Sequence, residues 1–118
     1  GAMKAVILDV AGAFHSPLMQ PAAERLRSNL ENACFQTPNI PVIANVDVGF
    51  HNEVPDIRES LYHQVTSSTY WGQSVVKLME LGVDNFIEIG PKRTLAGFLK
   101  RIDRKAKCSN VGTWQELH

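Results

Sequence analysis

The chain reads as an α/β protein, and three features of its sequence predict that class. Short apolar runs at Ala5 to Leu8, Val42 to Val46 and Asn85 to Ile89 have the length of strands. The stretches between and after them carry apolar residues at helical spacing. Proline and glycine punctuate most of the junctions. Strands separated by helices are joined most economically as a parallel pair with a right-handed crossover. There is no internal repeat.

Lys4 to Val10 is expected as a strand, followed by Ala11-Gly12-Ala13, small residues that permit a tight change of direction before Phe14-His15. Leu18, Ala22, Leu26 and Leu30 then recur every four residues, the apolar stripe of a helix. Ser16-Pro17 or Gln20-Pro21 starts it, because proline suits the first helical turn. After the prolines of Thr37 to Pro41, Val42 to Val46 is expected as a buried strand. Val54, Ile57, Leu61 and Val65 predict a second helix, and Trp71, Val75, Leu78 and Met79 a third that Gly82 terminates. Asn85 to Ile89 is a strand, Gly90-Pro91 a turn, and Leu95, Phe98, Leu99 and Ile102 the stripe of a last helix. Beyond Asp103 the chain turns basic and polar, with Val111 and Trp114 as its strong apolar anchors, and is expected to be a loosely docked tail.

With 118 residues, 44% of them hydrophobic and 20% charged, the composition is that of one globular unit. The apolar runs fall far short of the roughly 20 residues of a membrane-spanning helix, and no secretory signal is evident; a cytoplasmic location is the expectation. Gly1-Ala2-Met3 reads either as a protease-cleavage scar or as sequence from inside a longer chain, so residue 1 is not expected to be the biological start. Cys34 and Cys108 form no CxxC pair, and the four histidines lack metal-site spacing, so neither a disulfide scaffold nor a metal site is expected.

His15 is the most informative residue. It lies in a strand-to-helix connection, where catalytic groups are often held, and an imidazole titrates near neutrality, as a general base requires. A histidine that caps or packs at the helix start is the competing reading, and on these residues alone the favoured one. Ser16 follows it directly but lacks a Gly-x-Ser-x-Gly elbow, as do all seven serines, and reads as an N-cap hydroxyl. Gln64 and His63 read as exposed polar residues of the second helix, and Phe14 as a core aromatic.

Several segments in order resemble the C-terminal region of bacterial malonyl-CoA:acyl carrier protein transacylases. They are Gly12-Ala13-Phe14-His15-Ser16-Pro17-Leu18-Met19, Pro21-Ala22-Ala23-Glu24-Arg25-Leu26 and Ile40-Pro41-Val42-Ile43-Ala44-Asn45-Val46-Asp47. Leu61-Tyr62-His63-Gln64-Val65, Trp71 with Ser74-Val75, and Phe86-Ile87-Glu88-Ile89-Gly90-Pro91 leading into Leu95-Ala96-Gly97 continue the series. The resemblance covers about residues 4 to 103. One departure is Lys92, where the family usually has the second glycine of Gly-Pro-Gly, which reduces backbone freedom there.

The resemblance implies an α/β-hydrolase-like large subdomain whose C-terminal part spans residues 13–103. Residues 1–12 would be the end of a ferredoxin-like small subdomain, including its last strand, and residues 104–118 a basic tail. It implies malonyl transfer from coenzyme A through an elbow serine to the phosphopantetheine thiol of acyl carrier protein, in fatty acid biosynthesis and with no bound cofactor. His15 would be the catalytic base, the main-chain carbonyl of Gln64 its orienting acceptor, and Phe14 a bulky residue that disfavours branched substrates. The serine lies outside this chain, so the chain alone is expected to be inactive. It is also expected to self-associate through faces its parent would cover, the parent itself being monomeric. A noncatalytic docking module within a larger synthase is the alternative.

Residues 92 to 107 hold seven of the twelve basic residues against one acid, Asp103. Such a patch steers acidic partners or coenzyme A phosphates, with Lys100 and Arg101 as candidate carrier-protein contacts. Nucleic acid is not expected, because the patch lacks interleaved aromatics and the formal net charge is zero.

Overall fold

The computed structural model describes residues 5 and 11–117. The expected strand from Lys4 to Val10, and with it most of the proposed small-subdomain end, falls outside the described residues. The chain divides into two compact units, residues 1–42 with 50–69, and residues 43–49 with 70–118.

The first unit is a helix pair. A 3-10 turn, Pro17–Met19, leads directly into α1, Gln20–Asn32, and α2 is Val54–Gln64. Pro17, Pro21 and Pro55 all sit in the first turn of their elements, where a missing N–H costs nothing because it has no intrahelical partner. Both proposed start points are therefore used, one for the 3-10 turn and one for α1. Between the helices Ala23 is completely buried and Tyr62 nearly so. Leu18, at the head of the predicted stripe, stays 78% exposed because it falls in the 3-10 turn, out of phase with α1.

The second unit is mixed α/β. It contains α3 (Trp71–Glu80), β3 (Asn85–Ile89), α4 (Thr94–Ile102) and β4 (Lys107–Val111). Strands β3 and β4 pair in parallel from Asn85↔Lys107 to Ile89↔Val111, with α4 as the crossover. Val75, Leu99 and Ala106 form the core, with Trp71, Met79, Phe86 and Cys108 packed against it. Trp71 meets Phe98 edge to face at 5.8 Å. Helix α3 ends as Gly82 predicts: at φ 91 its N–H donates to the Met79 carbonyl and that of Val83 to Leu78, a Schellman closure.

Two expectations change. The segment from 104 onward is not merely a loosely docked tail, because 107–111 form β4. Its polar sequence concealed the strand: Cys108 and Asn110 alternate toward the covered side while Lys107 and Ser109 stay exposed, and pairing with β3 supplies the order. The run Val42 to Val46 yields only β1, Ile43–Ala44, which turns through 45–48 into β2, Gly49–Phe50. Four residues are too few for a parallel crossover, so the two meet as a hairpin. Asn45 turns the chain by accepting the Tyr70 N–H at 2.7 Å, and Asp47 accepts that of Gly49 at 2.9 Å.

Strand β3 alternates strictly. Phe86 and Glu88 are partly covered, while Ile87 and Ile89 on the other face are 67% and 81% exposed. Both cysteines are free thiols. Among the described residues no group of acids, histidines or cysteines could hold a metal ion, and no helix is long and apolar enough to cross a membrane.

Candidate active site

The turn before α1 is built by short-range bonds. The Ser16 hydroxyl donates to the Ala13 carbonyl at 2.7 Å, and the Met19 N–H donates to the Ser16 carbonyl at 3.0 Å. Ser16 therefore occupies the N-cap position of the 3-10 turn without capping it through its side chain, a correction to its reading as an N-cap hydroxyl. Tightening the turn in this way drives His15 to φ 58, the left-handed region that non-glycine residues adopt at a cost. Such strain persists only where surrounding contacts over-determine it, and it clusters at functional positions.

The contact that holds the strained residue comes from α2. His15 Nδ1 lies 2.9 Å from the main-chain oxygen of Gln64. That carbonyl belongs to the last turn of the helix, where carbonyls have no intrahelical donor and the negative end of the helix dipole favours one. The bond therefore satisfies the helix terminus and sets the ring at once. A neutral imidazole that donates from Nδ1 carries its lone pair on Nε2, the arrangement a general base needs. The Gln64 side-chain nitrogen, 3.4 Å from Nδ1, adds no second bond, because a donating Nδ1–H has nothing left to accept with.

Gln64 has a second task in its side chain. Its amide donates to the Ser67 carbonyl at 3.2 Å, with the Ser68 carbonyl and Thr69 Oγ1 at 3.4 and 3.5 Å, and so fastens the turn that follows α2. It is half-buried rather than an exposed polar residue. His63 is on the surface, paired with Glu59 at 3.5 Å. Phe14 is 62% exposed, its ring beside Gly12, so it is not a core aromatic.

Lys92 and Arg93 precede α4, whereas Lys100 and Arg101 lie in its last turn, where cations suit the dipole. Lys100 turns its ammonium onto the carbonyls of Ala106 at 2.6 Å and Arg104 at 3.2 Å, closing the turn into β4. Arg101 packs over the Phe98 ring at 5.6 Å and stays exposed.

Sequence reasoning missed two polar devices. Glu88 accepts the N–H groups of Leu95 and Ala96 at 3.0 and 2.9 Å, capping α4 from the neighbouring strand. Asn110 donates its side-chain amide toward the carbonyls of Glu88, Gly90 and Lys92, at 3.0 to 3.2 Å, and pins the loop between β3 and α4. The acidic residue inside an apolar run was the available signal for Glu88; Asn110 gave none, lying in a segment read as tail.

No family model matches the chain. It is 42% identical over 111 residues to the malonyl CoA-acyl carrier protein transacylase of Bacillus subtilis (strain 168), covering 94% of this chain and 35% of that protein. The protein of the same name from Haemophilus influenzae is 42% identical over 102 residues, 86% of this chain and 33% of its own length. Among solved structures, an acyl carrier protein S-malonyltransferase from Vibrio cholerae matches with TM-score 0.92 and 36% identity, over 99% of this chain and 38% of that one. A malonyl-transacylase in complex with its type II PKS acyl-carrier protein matches with TM-score 0.92 and 37% identity, at the same coverage. The chain thus spans about a third of the length of the curated relatives it matches. Over nearly all of its own length the chain is homologous to malonyl CoA-acyl carrier protein transacylases, as a stretch about a third as long as those proteins.

Proposed function

We propose that this chain is the C-terminal part of an enzyme that moves malonyl from coenzyme A to the phosphopantetheine thiol of acyl carrier protein in cytoplasmic fatty acid synthesis. The observation that carries the proposal is the strained His15 with Nδ1 on the Gln64 carbonyl at 2.9 Å. An imidazole fixed in that tautomer removes a serine proton through Nε2 during attack on the thioester. It returns the proton to the leaving thiolate, and the transfers reverse when the carrier accepts the acyl group: the ring takes the carrier thiol's proton and returns it to the serine oxygen. A carbonyl orienter fixes the ring without adding the charge of an aspartate.

In this reading residues 13–103 complete an α/β-hydrolase-like large subdomain and residues 1–12 end a ferredoxin-like one. The nucleophilic serine comes from sequence outside this chain, which is inactive by itself. The exposed Phe14 beside the base disfavours a methyl branch on the substrate, a discrimination worth about 1–3 kcal/mol. Arg101 is the carrier-protein contact with a guanidinium on the surface, and Lys100 supports the turn behind it. No bound cofactor is needed for any of these steps.

The test is the mass of holo acyl carrier protein after incubation with malonyl-CoA and the full-length parent, native or His15→Ala. Malonyl addition by the native enzyme, reduced by roughly 10²–10⁴-fold in the variant, is the expected result. Undiminished transfer by the variant removes His15 from the mechanism, and no transfer by either protein overturns the substrate assignment.

A further inference from the structure

Helices α1 and α2 run antiparallel, as their polar contacts show: numbers fall along α1 as they rise along α2. Arg27 meets Glu59 at 3.5 Å, then Glu24 and Gln20 meet Tyr62, then His15 meets Gln64. The Tyr62 contacts are the last rung before the catalytic one. The Tyr62 hydroxyl donates to Glu24 Oε1 at 2.8 Å and accepts from the Gln20 side-chain amide at 3.0 Å, while that amide also bonds Glu24. Arg27 stacks over the Tyr62 ring, 3.8 Å from its centroid. Tyr62, a nearly buried tyrosine two positions before Gln64, thus reaches through its hydroxyl to Gln20, five residues past His15, and to Glu24 one turn further along α1.

Ala23 and Tyr62 are the buried residues of the pair, with Leu26, Leu30 and Ile57 half-buried, and alanine offers little shape to interlock. Sliding one helix by a single residue is a 1.5 Å shift, about half the length of the 2.9 Å bond and enough to spoil its distance or its angle. A directional bond next to the catalytic one resists that slide. The Tyr62 hydroxyl also holds the Glu24 carboxyl below the usual carboxylate range, the signature of a donor committed to the charged form.

We infer that Tyr62 and Glu24 are positioning residues, a latch that sets the register of α1 on α2 and so keeps His15 Nδ1 on the Gln64 carbonyl. The role rests on the proposed function for its catalytic meaning, but its geometric content stands apart from it. Tyr62 and Glu24 touch no reacting atom; they act through Gln64 and His15.

The experiment uses the full-length parent with ¹⁵N-labelled histidine. Ring nitrogen shifts of His15 report the tautomer, and kcat and KM for malonyl-CoA are measured alongside in Tyr62→Phe, Glu24→Ala and the double variant. The latch predicts that each single change mixes the His15 tautomers and lowers kcat about fivefold with KM unchanged, as the loss of one net hydrogen bond implies. The double variant falls no further than Tyr62→Phe, which by itself removes the hydroxyl's bonds to both Glu24 and Gln20. Glu24 is exposed, so Glu24→Ala carries the test should Tyr62→Phe not fold. Native His15 shifts and native kcat in a folded single variant overturn the inference, as do effects that multiply in the double one. If the native protein transfers no malonyl, the proposed function falls, and the His15 shifts alone decide the latch.

Discussion

At the scale of residues, His15 combines two features that rarely coincide without function: a left-handed backbone and a ring tied to a helix-terminal carbonyl 49 positions away. Gln64 separates main chain from side chain, the carbonyl holding the ring and the amide holding the turn after α2. Gln64→Ala keeps the carbonyl, so malonyl transfer by the parent is expected to fall less than about tenfold, well short of the loss in His15→Ala. Equal kcat/KM losses in the two variants would assign the orienting role to the side chain instead. The carboxyl of Glu24 lies lower in the folded chain than in the unfolded one. Its contribution to stability is therefore complete above the unfolded pKa and lost as pH falls through the lowered folded one.

At the scale of elements, α4 depends on a cap that does not come from its own N-terminus. Its N-cap residue, Arg93, makes no side-chain cap bond, and Glu88 of β3 takes the two amides instead. Glu88→Ala should lower stability by about 1–2 kcal/mol, the range for losing a cap, read as a reduced denaturation midpoint with an unchanged m-value. An unchanged midpoint would mean that water serves the amides equally well. The loop between β3 and α4 is held by its own contacts. Gly90, at φ 152, supplies the unusual backbone, and Asn110 holds the carbonyls of Gly90 and Lys92.

At the scale of the molecule, two of the cations that the sequence clusters precede α4 and two lie in its last turn, where Lys100 commits its ammonium to carbonyls and Arg101 does not. In the parent, Arg101→Glu should therefore slow transfer to carrier protein several-fold while leaving malonyl loading from coenzyme A near native, and the difference should shrink as salt rises. Stopped-flow measurement of the two half-reactions checks it, and equal slowing of both would remove Arg101 from the carrier interface. The helices and β3 were legible in the residues because periodicity reports which face is covered, and the covered face is a local property. The motif around His15 was legible as a resemblance. Strand β4 was not, since a polar segment becomes a strand only when a partner such as β3 completes its hydrogen bonds. Sequence by itself determined the order of the helices and of β3, the helix starts at Pro17 and Pro21, and the stop at Gly82, all set by backbone chemistry within a few residues. Tertiary structure alone decided the left-handed turn at His15, its bond to Gln64, the Tyr62–Glu24 latch and the Glu88 cap, because each joins groups whose separation along the chain says nothing of their distance in space.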